Sequence, residues 1–249
     1  MKSLKILLAI LSISVPVLAQ AKKPIIVAVI DTGITDDLRN ASFLCKTGHK
    51  DFTNTGLTDR HGHGTHVSGI IDQNVKGIKL NSFHDIPKLL LESANYCQVI
   101  LKYFDPKSFS NGYNEVRAIN YAVDIHVDVI NISAGGNDYS KDEDVAIKRA
   151  LQAGIKIVVA AGNEKSDISL RGKHFYPASL SPKLIIVGNL DSNNGIAPSS
   201  NYGSDVNSWE YGTNVISLAG AKRVATMTGT SQACAVKSGK IVREMLSSK

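Results

Sequence analysis

The chain has 249 residues, 43% hydrophobic and 20% charged, with a formal net charge of +6. That balance excludes a disordered chain, and only three cysteines exclude a scaffold built from disulfides. The charge is uneven: residues 1–19 carry +2, 222–249 carry +5 and the body between them carries −1. No basic stripe with interleaved aromatics accompanies it, so nucleic acid is not an expected partner.

Residues 1–19 have the layout of a signal peptide. Lys2 and Lys5 precede an apolar run over 6–15, Pro16 breaks it, and Val17 and Ala19 fit the small-residue rule for cleavage. Cleavage is expected after Ala19, with Ala21 the second choice. The run is too short to span a bilayer, which takes about 20 apolar residues, and no later segment is apolar enough. The expected product is a single domain over 20–249, monomeric, exported to a secreted or periplasmic location and not stably inserted in a membrane. Export would give Cys45 and Cys97 an oxidising setting in which to pair. The alternative is three buried thiols acting as small hydrophobes, and the sequence leaves that choice open.

In chain order, β-branched apolar runs at 25–30, 99–104, 127–132, 155–160, 184–187 and 215–218 read as buried strands. Their near-continuous apolarity suits a parallel sheet covered on both faces. Between them, 115–125 places Val116, Ile119 and Val123 on one helical face. The stretch 142–153 opens with Asp142, Glu143 and Asp144 and stops at Gly154, as a capped helix does. The alternation predicts an α/β fold: a doubly wound, mostly parallel sheet with helices on both faces, in three layers. Residues 190–214, rich in Asn, Ser and Gly, read as a long surface loop.

Ligands of such sheets lie beyond the carboxyl ends of the strands. There the sequence places Asp31-Thr32-Gly33, Ser133-Ala134-Gly135-Gly136 and Gly162-Asn163. Two further motifs are dense in reactive groups: HGHGTHVSG at 61–69, and MTGTSQA at 227–233 opening a helix-like tail. A serine needs an adjacent base to become a nucleophile, and a carboxylate commonly orients that base. Asp31, His63 and Ser231 supply the three groups. His61, His63 and His66 could also suggest a metal cluster, but zinc would need more ligands in a tetrahedral array. With His63 already used, no metal is expected; His66 reads as structural and His61 as an exposed loop residue. Cys234 reads as a buried structural thiol.

These motifs together make the chain resemble the subtilisin-like serine proteases, the subtilases. The chain order Asp, His, Ser is that of the family. VAVIDTG holds Asp31, HGHGTHVSG holds His63, DVINISAGG resembles the substrate-binding strand, VVAAGN ends in Asn163, SSNYG spans 199–203 and MTGTSQA holds Ser231. The resemblance implies a serine endopeptidase. Ser231 would be the nucleophile, His63 the base and Asp31 its orienting carboxylate. Asn163 and the Ser231 backbone N–H would be oxyanion donors, and Ser133, Ala134 and Gly135 would pair with a peptide or protein substrate.

Gln232 and Ala235 depart from the common family pattern after the serine. Only 11 residues, 20–30, separate the expected cleavage point from Asp31, too few for the pro-region of many secreted members. Unaided folding, or control by a protein inhibitor, is therefore expected. No cofactor is expected; the family's structural calcium cannot be placed, although 191–194 is rich in Asp and Asn. Ser133 to Gly136 and Ala160 to Gly162 would wall the specificity pocket. Their small side chains predict an open pocket for a sizeable apolar group, with no acidic residue in either wall. The alternative function is a non-catalytic peptide-binding protein on the same fold, which would normally have lost one of the four catalytic positions. No phosphate loop of a nucleotide-binding module occurs.

Overall fold

The computed structural model describes residues 22–107 and 112–248. The signal peptide read at 1–19 and its cleavage point lie outside them. β1 (Ile25–Asp31) lies inside a seven-stranded sheet with β2 (Lys50–Asp51), β3 (Tyr96–Lys102), β4 (Val129–Ile132), β5 (Lys156–Ala160), β6 (Ile185–Leu190) and β7 (Ser208–Tyr211). The order is β2-β3-β1-β4-β5-β6-β7, and every neighbouring pair is parallel. β1 runs Ile-Ile-Val-Ala-Val-Ile-Asp with almost every residue buried. A strand so apolar on both faces needs a layer on each side.

Those layers sort the core in two. On one face α1 (His63–Lys76) and α5 (Thr230–Ser247) bury Val67, Ile70, Ile71, Ile241 and Val242 against Val27, Val29, Val129 and Val158. On the other, α3 (Gly112–Asp124) and α4 (Lys141–Gln152) bury Ile119, Ala122, Ile147 and Ala150 against Ala28, Ile30, Ile130, Ile132 and Val159. Alternate residues of each strand feed alternate cores, as the pleat dictates. α1 and α5 touch almost backbone to backbone. A Cβ on Gly239 would lie 2.7 Å from the Ile71 carbonyl oxygen and 2.5 Å from Asn74 Cβ. A short helix, α2 (Ile86–Leu91), completes this side.

Two expectations fail. The run 215–218 does not join the parallel sheet; it lies in β8 (Val215–Gly220), paired antiparallel with β9 (Arg223–Met227). This hairpin leans on α1, where Ser217 Oγ donates to the His66 carbonyl at 2.8 Å. Four apolar residues fit either environment, and length alone did not separate them. Residues 190–214 are more than a loop, because they contain edge strand β7 and the buried Ser200 and Asn201. Asn201 accepts from the N–H groups of Glu164 and Ser166 and donates to the Ala161 carbonyl. Its polar side chain does the pairing that a strand would do with backbone.

Cys45 and Cys97 are bonded across a separation of 52 residues, tying the segment after β1 to β3. Closing a loop of that length stabilises the fold by about 4 kcal/mol in the chain-entropy account.

Candidate active site

The chain turns back on itself between β1 and β4, neighbours in the sheet that are far apart in sequence, and the carboxyl ends of such strands open a crevice. Ile30 pairs with Ile132. Asp31 and Ser133 therefore emerge side by side, about 4.8 Å apart as neighbouring strands are. Asp31 is buried, and its carboxylate meets His63 Nδ1 at 2.8 Å through Oδ1 and 3.0 Å through Oδ2. A carboxylate only accepts, so Nδ1 carries the proton and Nε2 is left as the acceptor. Burial works against charging this imidazole, but the Asp31 carboxylate outweighs it and holds the His63 pKa above the ordinary 6.5.

His63 opens α1, and the local sequence sets its position. A Cβ on Gly64 would lie 2.6 Å from the Gly33 carbonyl, so only glycine lets the helix start this close to the end of β1. The organiser of this turn is Asp59, a residue sequence reasoning missed. Its Oδ1 accepts from the N–H groups of His61 and Gly62 and from the Thr32 hydroxyl, and its Oδ2 accepts from the N–H and hydroxyl of Thr65. Burial raises its pKa, yet these hydrogen bonds, led by Thr65, hold it below the usual carboxylate range. The signal was present as an acid four residues before the first helical residue, ahead of Thr65. Lys102, fully buried, braces the same segment from below, donating to the Thr58 carbonyl at 2.7 Å and to Asp105 at 2.6 Å.

Ser231 stands in the first turn of α5, whose free N–H groups face the crevice end. Its Oγ donates to the Ser133 carbonyl at 2.8 Å rather than to His63, and Ser133 Oγ donates to the Ser231 carbonyl at 2.9 Å. This reciprocal pair binds the helix start to the end of β4. Behind it, Asn131 donates to Ser133 Oγ and accepts from Ser238. Asn163 is exposed at the end of the segment after β5. Its Oδ1 accepts from the Thr230 N–H at 3.0 Å, and Thr230 Oγ1 accepts from the Gly162 N–H at 3.1 Å. Thr230 and Asn131 are positioning residues that the motif reading did not single out. Gln232, one of the departures from the family pattern, is buried, with its amide 3.9 Å from the Met227 sulfur.

The two segments read as pocket walls, 133–136 and 160–162, both pack against the Phe175 ring. A Cβ on Gly135 would lie 2.4 Å from the Phe175 ring, and one on Gly162 2.9 Å from it. The buried Phe175 ring thus lies against both glycine-bearing segments, where the sequence predicted an open space for a sizeable group. Phe175 lies far from both segments in sequence, so no local pattern announced it.

Among the described residues no cluster of three or more His, Cys, Asp or Glu is placed to hold a metal ion. The Asp191 carboxylate, in the Asp- and Asn-rich stretch, accepts instead from the N–H groups of Asn193 and Gly195 in its own turn. His66 is buried, with Nε2 at 3.2 and 3.1 Å from the carbonyls of Val215 and Ala225. His61 is exposed, with its ring edge-on to His63 and Phe104. Cys234 is a buried free thiol whose pKa burial pushes up to about 12, so it is no nucleophile near neutral pH.

This arrangement agrees with what the chain is similar to. The model of the subtilase family matches residues 22–244. The chain is 32% identical over 227 residues to the major intracellular serine protease of Bacillus subtilis (strain 168), covering 87% of this chain and 67% of that protein. It is 33% identical over 209 residues to subtilisin-like protease 2 of Arthroderma otae, covering 82% of this chain and 46% of that one. It is 30% identical over 213 residues to the minor extracellular protease Epr of Bacillus subtilis, covering 85% and 30%. The chain thus spans about two thirds of the first of these relatives and less than half of the other two. Two solved structures share the fold: a cold-adapted subtilisin-like serine proteinase, with a TM-score of 0.69 at 24% identity covering 89% of this chain and 75% of that one, and a lanthipeptide protease, with a TM-score of 0.71 at 21% identity covering 89% and 73%. The chain belongs to the subtilase family, a family of serine endopeptidases.

Proposed function

We propose that this chain is an exported endopeptidase that cleaves peptide bonds with Ser231 as nucleophile, His63 as base and Asp31 as its orienting partner. The observation that carries the reading is the His63 Nδ1 to Asp31 Oδ1 hydrogen bond at 2.8 Å, beside the strand end that holds Ser231. Ser231 Oγ turns from the Ser133 carbonyl to His63 Nε2, loses its proton there and attacks the scissile carbonyl. His63, now charged and held by Asp31, returns the proton to the leaving amine. Water then repeats the cycle on the acyl-enzyme. A peptide laid along Ser133, Ala134 and Gly135 pairs as an added strand. The test is a fluorophosphonate label on the full chain. One covalent adduct, mapped to Ser231 by mass spectrometry, is expected; a folded protein that takes no label overturns the reading.

Asn163 donates its NH2 group to the oxyanion together with the Ser231 backbone N–H. Asn163→Ala should lower kcat by about 10²–10³-fold with KM little changed. A fall of less than threefold in steady-state kinetics would remove Asn163 from this role.

The pH profile follows from the direction of the His63 shift. The base works unprotonated, and its pKa is raised by Asp31, so kcat/KM falls with falling pH about a midpoint above 6.5. A flat profile between about pH 5 and 9 means that His63 is not the base.

With Phe175 between the pocket walls, the residue before the scissile bond is small. Phe175→Ala should raise kcat/KM for a bulky apolar residue there, relative to alanine, by about tenfold or more. An unchanged ratio in a paired-peptide assay rejects Phe175 as the gate.

Export is supported by the signal-like layout of 1–19, by the Cys45–Cys97 bond and by the relative named as an extracellular protease; another relative is named as intracellular. Among the described residues no helix is long and apolar enough to cross a membrane.

A further inference from the structure

Where α1 ends, the turn that follows it, β8 and α5 border a cavity of about 480 Å³. Its floor is apolar: Leu80 is buried, and Ile216 and Val236 are half-buried beside it. Gln73 joins two of its walls. It accepts from the Leu80 N–H at 2.8 Å and donates to the Ile216 carbonyl at 3.2 Å, so both backbone groups are already paired. Three cations also line the cavity, Lys79, Lys240 and Arg243, and no acidic side chain does. Lys240 pairs with Glu210 at 2.6 Å. Among the described residues, the Lys79 and Arg243 side chains make no ion pair.

Arg243 is more than a solvated charge. Its guanidinium lies against Gly77, the residue that ends α1 with φ at +69°, and a Cβ there would collide with it. The carboxyl end of a helix is partly negative and favours a cation. That keeps the head at the cavity while its donors stay free. A guanidinium fork matches a carboxylate with two parallel hydrogen bonds. Lys79, two residues past Gly77, adds a second free charge to the same rim. The excess charge of the chain is concentrated in 222–249, at +5, and α5 delivers part of it here.

The combination selects a ligand. An apolar floor alone would take any hydrophobic group, and cations alone would take any anion. Together they fit an acidic peptide segment with one apolar side chain, buried on the floor while its carboxylates meet the rim. The site also lies apart from the crevice. α1 has 14 residues, and His63 opens it at the other end, about 20 Å away at 1.5 Å per residue. A protein docked at the cavity leaves the reacting groups open.

We propose that this cavity is a docking site for an acidic segment of a partner protein, with Arg243 and Lys79 as its anchors. Binding is the readout, so the outcome does not depend on the peptidase reading.

The test is fluorescence anisotropy with rhodamine-labelled peptides on the full chain carrying Ser231→Ala, which leaves the probe intact. The probes are Asp-Glu-Leu-Glu-Asp, its amide counterpart Asn-Gln-Leu-Gln-Asn, and Asp-Glu-Ser-Glu-Asp. The acidic leucine peptide should bind about tenfold or more tighter than the amide, the size of a charge-assisted contact. It should bind about tenfold tighter than the serine peptide, the worth of a buried leucine. Lys79→Gln/Arg243→Gln should bring the acidic-to-amide ratio to about one. Lys222→Gln/Arg223→Gln removes the same charge outside the cavity and should leave the ratio as it was. Equal binding of the acidic and amide peptides overturns the proposal, and so does equal binding of the leucine and serine peptides. A preference that survives in the cavity variant, or that both variants reduce alike, overturns it as well. Binding to phosphatidylglycerol vesicles that the cavity variant loses and the acidic peptide cannot displace would assign the surface to a membrane and overturn it too. The peptide comparisons need no cavity variant, so they stand even if that variant fails to fold.

Discussion

Ser231→Ala should lower kcat by about a millionfold, the scale that removal of the nucleophile has in other serine peptidases. The covalent route is lost outright with the nucleophile's hydroxyl. Cys234 lies three residues on, but it is buried and its thiol stays protonated. The fold should survive, because the Ser231 hydroxyl makes a single hydrogen bond, to the Ser133 carbonyl, worth about 1 kcal/mol. The residual rate then measures what Asn163 and the bound strand achieve without a nucleophile. An alanine variant within a hundredfold of the unaltered enzyme would place the reacting group elsewhere.

Asp31→Asn is the second large effect, about 10⁴-fold in kcat with the geometry of the crevice retained. Asp31 Oδ1 accepts from both the Thr32 N–H and His63 Nδ1, each at 2.8 Å. In the variant the amide oxygen keeps the Thr32 contact, and the NH2 group turns towards the imidazole. A donor facing Nδ1 makes that nitrogen the acceptor and moves the ring proton to Nε2, where it blocks removal of the serine proton. The measurement is kcat across pH, with circular dichroism confirming the fold. A loss below tenfold would show that His63 does not depend on Asp31 for its tautomer.

The sequence was most readable where one residue had one environment. The run 25–30 has a covered sheet as its natural setting, and it lies at the sheet's interior as β1. Motifs that open helices, around His63 and Ser231, were also plain, because glycine and small polar residues serve tight starts. What sequence could not show were relations across distance. Asp59 reads as one more acid in a loop until Thr32 and Thr65 fold over it. Phe175 reads as an ordinary core aromatic until Gly135 and Gly162, beyond the ends of β4 and β5, close on it. Glu115 and Glu143 lie on apolar helical faces where a carboxylate passes for a solvated one, and only the packing of α3 beside α4 shows that both are buried. The hairpin of β8 and β9 escaped for a related reason: a short apolar run does not name its partner.

The contact between α1 and α5 gives the molecule the mechanics of a pair of tongs. His63 and Ser231 are at the two tips, and the closest point, Ile71 against Gly239, lies eight residues along each arm. That is about 12 Å from either tip at 1.5 Å per residue. Adding a single methyl at Gly239 must open the pivot, and rigid helices carry the opening to their ends. A substitution that usually strengthens a helix would here misalign the proposed reacting pair, where an error of about 1 Å costs on the order of a hundredfold in rate. The turnover number of this protein is therefore written partly into a spot that no substrate ever touches.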